Sequence, residues 1–414
     1  MMANKRGHGE GSIEQRDGVF RLRYRLNGKK QSKTMRVGTT LKKARAELRA
    51  LVRGVDTGEG VEPIKLTVGQ WIDQWLELGA PGRRRMKVSQ RTLERYSQLL
   101  RTHVKPVLGD RPLQQIKASE IDKLYSDMAS AAEIAPRTQH HVHVVFGALL
   151  ATAARKGLIA INPMVRVEQI PNPDSSDENG IDDDGDIGAG LSETDLAKLV
   201  DGFRSSNLYL VVALAAATGA RRNELLALRW SDLDVEKKEL RIEWALEQTK
   251  EFKIRRKRPK TKRGWRTVDL DDATMAMLLG ARERHLRLHA GIPDGVDVDL
   301  GLIRLPSGAL MFPAAPERGE DFDLTVPRNP RNFSKEFARR AGLLGFGSTR
   351  FHDLRGIHTT ALLDAGIPVH TVAQRIGDDP AILLRNYAKR KRTQEADKKL
   401  AQTISSLTAG FLRT

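Results

Sequence analysis

The chain has 414 residues and a formal net charge of +18 at pH 7, too long for one ordinary core and basic enough to expect a polyanionic partner. It has no cysteine, which excludes disulfides, thiol catalysis and thiolate metal sites, so any nucleophile must be an oxygen or an amine. No apolar run approaches the roughly 20 residues of a spanning helix, and the start, MMANKRGHGEGS, lacks the apolar stretch of a secretion signal; a cytoplasmic, nucleoid-associated protein with no membrane partner is expected.

Residues 1–63 read as a small three-stranded sheet plus one helix. From Phe20 to Leu26 the alternation has period two, which predicts a half-buried strand. Phe20, Leu22, Tyr24 and Leu26 take one face; Arg21, Arg23 and Arg25 take the other. Asn27-Gly28 is a hairpin signal, because both positions tolerate positive φ, and a partner strand is expected over about 31–37. Leu41, Ala44, Leu48 and Leu51 then recur at helical spacing. An exposed strand face bearing one sign of charge points to DNA, whereas plain solvation usually mixes both signs.

Residues 64–170 read as helices. Thr67 with Gln70 forms a capping box ahead of Trp71, Ile72, Trp75 and Leu76. Ser89 starts a second helix and Ser119 a third, while a fourth runs over about 136–156 with Val142, Val145, Phe146, Leu149 and Leu150 on its buried side. Arg83, Arg84, Arg85, Lys87 and Arg91 are candidate DNA contacts on the polar faces. His140, His141 and His143 invite a metal reading, but no carboxylate stands at ligand spacing beside them, so a solvated or phosphate-facing helix is expected and no metal site is assigned. Residues 171–190 are acidic and almost devoid of apolar side chains; they fit no calcium-loop register and read as a flexible linker.

Residues 191–414 mix helices and strands. Ser192 with Asp195 opens a helix, 209–218 is an apolar one, and Leu240, Ile242, Trp244 and Val268, Leu270 mark two strands. Between the strands, 250–263 is a basic run whose only acid is Glu251. It is expected to form a hairpin projecting onto DNA, with Arg256 and Lys262 among its contacts. Pro368 and Pro380 sit at first-turn positions and Gly366 and Gly377 at helix ends. A final stripe of Leu400, Ile404, Leu407 and Phe411 reads as a helix that either packs on its own domain or serves as an oligomerisation helix.

Four segments of this last part belong together: Ala217-Thr-Gly-Ala-Arg-Arg-Asn-Glu-Leu225, Pro259-Lys-Thr-Lys-Arg-Gly-Trp-Arg-Thr-Val268, His352-Asp-Leu-Arg355, and Ile376-Gly-Asp-Asp-Pro-Ala-Ile-Leu-Leu-Arg-Asn-Tyr387. Singly each is weak. In this order and at these separations the chain resembles the tyrosine recombinase family, the integrases of phages and mobile elements. The resemblance implies a multidomain α+β protein: a small arm-site DNA-binding sheet domain, an all-α core-site DNA-binding domain, and a mixed α/β catalytic domain.

It also implies roles. Arg221 and Arg355 match the phosphate-clamping arginines, whose planar forks fit two phosphate oxygens. His352 matches a histidine that can serve as base, Lys260 (with Lys262 as the alternative) the lysine that protonates the departing 5′-oxygen, and Tyr387 the nucleophile that forms a 3′-phosphotyrosine. That scheme requires no cofactor and no metal. Glu224 is read as orienting an arginine. At Asp378 the sequence departs from the family pattern, in which His or Trp is usual. Asp378 is expected either to accept a hydrogen bond from a catalytic side chain or helix N-terminus, or to act as a plain N-cap. The implied partners are double-stranded attachment sites, a homo-tetramer on DNA, and accessory DNA-bending or directionality proteins. A DNA-binding regulator without catalysis and a type IB topoisomerase-like enzyme are the rival readings.

Overall fold

Strand β2 (Val19–Leu26), between β1 (Ser12–Arg16) and β3 (Lys29–Thr34), follows the alternation: Phe20, Leu22 and Tyr24 are buried while Arg21, Arg23 and Arg25 are exposed. The structure is a computed structural model that describes residues 11–26, 29–56, 64–82, 86–131, 134–172, 191–250, 253–258, 264–316 and 321–388. The three strands are antiparallel in the order β1-β2-β3, with Leu22 opposite Ile13 and Lys33. Helix α1 (Leu41–Asp56) closes the apolar face with Ala44 and Leu48. The open face is less uniform than the arginine repeat predicts, because Arg23 is paired with Glu14 of β1 at 2.6 Å.

A second, separate core belongs to α2 (Val68–Glu77), α3 (Gln90–Leu99), α4 (Lys105–Leu108), α5 (Ala118–Ser130) and α6 (Pro136–Arg155). The capping box at α2 is present: Thr67 Oγ1 accepts from the Gln70 amide at 3.2 Å, and Gln70 Oε1 accepts from the Thr67 amide at 3.0 Å. Between α3 and α4 the helix widens into a π turn over Leu100–Val104. Pro106, with no N–H to continue the ladder, lies just beyond it. The helix expected from Ser119 starts at Ala118 instead, where Lys117 is the N-cap and its amide donates to Glu120 Oε2 at 3.0 Å.

The chain divides into two compact units, Met1–Ile181 and Asp182–Thr414. The boundary expected near residue 63 thus falls within the first unit, which holds both cores described so far. Most of the acidic stretch read as a linker, 173–190, and all of 389–414 with the expected oligomerisation helix lie outside the described residues.

The second unit opens with α7 (Glu193–Gly202), capped by Ser192 Oγ on the Asp195 amide, then α8 (Tyr209–Thr218) and the one-turn α9 (Arg222–Leu225). Strands β4 (Leu233–Asp234) and β5 (Glu239–Ile242) follow, then the hairpin β6 (Ala245–Thr249) and β7 (Lys253–Lys257), then β8 (Arg266–Asp269), which pairs on β5. Helices α10 (Asp272–Ala290), α11 (Pro330–Leu343), α12 (Asp353–Asp364), α13 (Val369–Ile376) and α14 (Pro380–Ala388) complete it. Phe203, Phe337, Phe333 and Phe351 interlock at centroid distances of 4.9–5.2 Å, and Leu354 of α12 is fully buried in the same core. That contact seats α12, and with it His352 and Arg355.

Of the basic run 250–263, expected to form a projecting hairpin, residues 251–252 and 259–263 lie outside the described residues. Its first half is β7, whose partner strand is β6, and there Glu247 holds both Arg255 (2.7 Å) and Lys257 (2.9 Å). Because β6 has buried residues on both faces, its sequence lacks the period-two pattern that would have marked it as a strand.

Candidate active site

Three turns bring the candidate residues together. The first links α8 to α9. Gly219 ends α8 in the left-handed region (φ +62), where a Cβ would lie 2.7 Å from His358 Cδ2. Thr218 Oγ1 then accepts from the Ala220 amide at 3.3 Å. Together they deliver Arg221 to the N-cap of α9 in an extended conformation. Its Nη1 donates to Glu224 Oε1 (3.2 Å) and to Gly377 O (3.3 Å), and its Nη2 lies 3.6 Å from Asp378 Oδ2.

The second is the start of α12. His352 is its N-cap, and Arg355 stands one turn on, so the two are close as the H-x-x-R spacing predicts. Buried Asp353 fixes this end by accepting from the Arg350 amide (2.8 Å) and from Arg350 Nη2 (2.9 Å). Arg355 is buried. Its Nη1 donates to Gly219 O (2.8 Å) and Ile376 O (2.7 Å), and its Nη2 donates to Asp378 Oδ2 (3.0 Å). Burial, then the charge of Arg221, draws its pKa down to about 10, which leaves it a cation at neutral pH.

The third turn joins α13 to α14. Gly377 (φ +70) ends α13, and the Asp378 amide returns to Ala373 O at 2.9 Å. The two alternatives weighed for Asp378 fall on different aspartates. Asp379 Oδ1 caps α14 through the Ala381 amide (2.9 Å), while Asp378 Oδ2 meets both arginines and its Oδ1 accepts from the Asp379 amide (3.0 Å). Tyr387 falls in the last turn of α14; its side chain lies outside the described residues.

Beneath this layer, buried Glu224 joins Arg221 to Arg266. Glu224 Oε2 accepts from the Arg221 amide (2.9 Å) and from Arg266 Nη2 (2.8 Å). Burial alone would raise the Glu224 carboxyl, but Arg266 and then Arg221 outweigh it and hold it at about 2. Removing one partner of such a buried pair typically costs about 3–5 kcal/mol. An open cleft of about 630 Å³ lies against Arg266 and Asp378 and is lined also by Trp265, His370 and Gln374.

Arg266 and His358 were missed by sequence reasoning, although both carried a signal. Arg266 has the same strand parity as the buried Val268 and Leu270. His358 continues the three-residue spacing of His352 and Arg355. Its Nδ1 is 2.9 Å from Ala216 O, and burial followed by the charge of Arg375 lowers its pKa to about 4.

The other candidates are placed unevenly. Lys260, Lys262, Arg83, Arg84 and Arg85 lie outside the described residues. Lys87 and Arg91 are exposed on the first unit. Arg256, expected to face DNA, is turned inward: its side chain is 14 % exposed, paired with Asp232 at 3.3 Å and seated 4.9 Å over Trp244. The neighbouring Arg258 lies between two indoles, 5.2 Å from Trp244 and 4.7 Å from Trp265. Of the histidines on α6, His140 Nδ1 is 3.0 Å from Pro171 O and His143 tilts against Tyr125. Among the described residues no group of three or more His, Asp or Glu side chains is placed to hold a metal ion, and no helix is long and apolar enough to cross a membrane.

Two family models match the chain: the phage integrase family over residues 191–393, and the phage integrase N-terminal SAM-like domain over residues 67–129. A tyrosine recombinase XerC-like protein of Caldanaerobacter subterraneus subsp. tengcongensis is 26 % identical over 353 residues, covering 82 % of this chain and 83 % of its own. An integrase of Mycobacterium phage FRAT1 is 22 % identical over 344 residues, 83 % of this chain and 89 % of its own. In fold, the chain is similar to the Tn1549 transposon integrase in complex with a circular intermediate DNA (TM-score 0.60, 16 % identity, 82 % of this chain and 99 % of that one). It is similar also to lambda integrase, solved as a dimer bound to a COC′ core site (TM-score 0.53, 16 % identity, 94 % and 99 %) and as a tetramer bound to a Holliday junction (TM-score 0.52, 18 % identity, 89 % and 95 %).

Proposed function

Since the chain belongs to the phage integrase family and is a tyrosine recombinase, we propose that it cuts and rejoins DNA at specific sites through a 3′-phosphotyrosine on Tyr387, integrating, and in reverse excising, a phage or other mobile element. The observation that carries this reading is the meeting of Arg221 and Arg355 on one carboxylate oxygen, Asp378 Oδ2, at 3.6 and 3.0 Å. Two guanidiniums held together on fixed acceptors form a preorganised receptor for the charge that develops on the non-bridging oxygens of a five-coordinate phosphorus. If each acts as one preorganised donor, losing it costs about 3–4 kcal/mol of barrier.

The chemistry follows from residue types. The Tyr387 oxygen attacks phosphorus, and His352 accepts its proton. The bond to the 5′-oxygen breaks, and Lys260 gives that oxygen a proton. The phosphodiester is thereby stored as a phosphotyrosine, so the 5′-hydroxyl of a partner strand can reseal it by the same steps reversed, without ATP. Asp378 takes no proton in this scheme; it orients the clamp. The exposed arginines of β2 and the basic residues Lys87 and Arg91 supply phosphate contacts that position the duplex. The tetramer of lambda integrase on a Holliday junction supports four copies acting together on two attachment sites, with accessory proteins setting direction.

The test is trapping. A nicked duplex spanning the junction at which the element joins its host is incubated with the protein in EDTA and run on a denaturing gel. A covalent adduct is expected, absent in Tyr387→Phe and in Arg355→Gln. Binding without any adduct would instead make the protein a regulator. Relaxation of supercoiled plasmid lacking the junction, at the same rate as plasmid carrying it, would favour a topoisomerase.

A further inference from the structure

The segment that carries Lys260 also contains Arg266, to which the chemistry above gives no part. Arg266 opens β8, opposite Ile242 of β5, and its side chain is 3 % exposed. A guanidinium buried so far is unfavourable unless its charge and hydrogen bonds are met. Two of its nitrogens are met, and both partners are supports of the arginine pair. Nη2 donates to Glu224 Oε2, the oxygen that also accepts from the Arg221 amide. Nε donates to Arg375 O at 2.7 Å, in the last turn of α13. The next two carbonyls of that turn, Ile376 O and Gly377 O, accept from Arg355 and Arg221 respectively.

We propose that Arg266 is the positioning residue of the phosphate clamp, tying the carboxylate that orients Arg221 to the helix end that supplies acceptors to both clamp arginines. The inference rests on the reading of Arg221 and Arg355 as that clamp. A core residue needs only volume at this position, which methionine supplies. A positioning residue must supply charge to Glu224 and a donor to the α13 carboxy terminus, which methionine does not.

This distinction has a pH signature. Glu224 faces Arg221 from its own turn, Arg266 from β8 and Arg355 from α12; Arg375 of α13, His358 of α12 and Asp378 complete the surrounding charges. Without Arg266 the main counter-charge is gone and burial favours the protonated carboxyl. Arg221 would then be oriented only in the fraction of molecules whose Glu224 is ionised.

The experiment follows adduct formation on the junction duplex from pH 6 to 9, using full-length wild type, Arg266→Met, Glu224→Gln and the double variant. Arg266→Met is expected to bind the duplex as wild type does and to form the adduct about 100-fold more slowly at pH 7, the size of effect expected when a reacting group is misplaced by about 1 Å. Its rate should climb with pH relative to wild type, and adding Glu224→Gln should abolish that climb. If Arg266→Met does not fold, Arg266→Gln, which keeps a donor but no charge, must show the same new pH dependence. A folded variant that keeps the wild-type rate, or that is slower with the wild-type pH profile, would overturn the proposal. Failure of the clamp reading looks different: wild type would form no adduct, or its adduct would survive Arg221→Gln.

Discussion

Asp378 stands where the resemblance leads one to expect His or Trp, and its surroundings make room for a carboxylate. A carboxylate beside a phosphate is repelled, yet here one oxygen serves two arginines and the other an amide. Its negative charge offsets the mutual repulsion of Arg221 and Arg355. Asp378→Ala removes a charged acceptor from buried Arg355, so a stability loss of about 1.5–3 kcal/mol is expected, and Asp378→Asn should lose less; urea unfolding midpoints measure both. Glu224 makes a second prediction at this scale. Its folded pKa of about 2 lies below the roughly 4.3 of an unfolded glutamate. Its contribution is therefore complete above that value and is lost as pH falls towards 2. Glu224→Gln should flatten the acid limb of a stability–pH curve over that interval, at a cost in stability near neutral pH. Arg221 and Arg355 were singled out by the resemblance of their segments to the tyrosine recombinase family, and the fold brings both to Asp378. Arg266 was harder to find, since nothing adjacent to a strand arginine announces that its partner is a carboxylate 42 positions away.

Among elements, those with a local signal were the ones correctly foreseen. The capping box at Thr67, the alternation in β2 and the apolar stripe of α6 each record a complete local rule. The π turn at 100–104 and the β6–β7 pairing were missed because each depends on something beyond its own segment: a helix that must accommodate a proline, and a strand buried on both faces. The α8–α9 turn yields a third prediction. Gly219→Ala places a Cβ against His358 and Ile376 at a positive φ, so adduct formation should fall at least tenfold and stability by more than about 1 kcal/mol, read by the gel assay and by thermal unfolding. A fourth concerns α10. His285 Nδ1 accepts from Trp230 Nε1 at 3.0 Å, and burial followed by Arg284 lowers its pKa to about 4. A histidine with a lowered folded pKa contributes stability that is complete above about 6.5 and is lost as pH falls towards 4. His358 behaves alike. Between pH 6 and 5 the stability of His285→Phe should therefore fall with a slope smaller by about 1 kcal/mol per pH unit than that of wild type.

On the scale of the whole molecule, the net charge of +18 predicts DNA binding that weakens steeply with salt, but not every cation contributes equally. Arg23 is committed to Glu14, and Arg256 to Asp232. Arg25→Ala should reduce the slope of log K against log salt by about 0.9, as expected for one lost phosphate contact. Arg23→Ala should reduce it by less, because an internal partner already neutralises it; titrations by fluorescence anisotropy at several salt concentrations separate the two. The division into a basic sheet, a helical body and a mixed unit was visible in composition. Which cations are spent internally was not, because pairing is a property of the fold.

Four of the contacts that hold Arg221 and Arg355 end on main-chain or glycine-adjacent oxygens: Gly219 O, Ile376 O, Gly377 O and, one residue on, Asp378. Three of these four positions present an acceptor that no point substitution can delete. Drift in side chains can therefore proceed around the clamp with its receptor intact, as long as the backbone keeps its path. That path is set by two glycines at positive φ, Gly219 and Gly377, and by the buried ion pair of Glu224 and Arg266. Exchange of the residue at 378 leaves the three carbonyl acceptors in place. An alignment keyed to catalytic side chains would register that change as decay, when the part of the pocket written in the backbone has not moved.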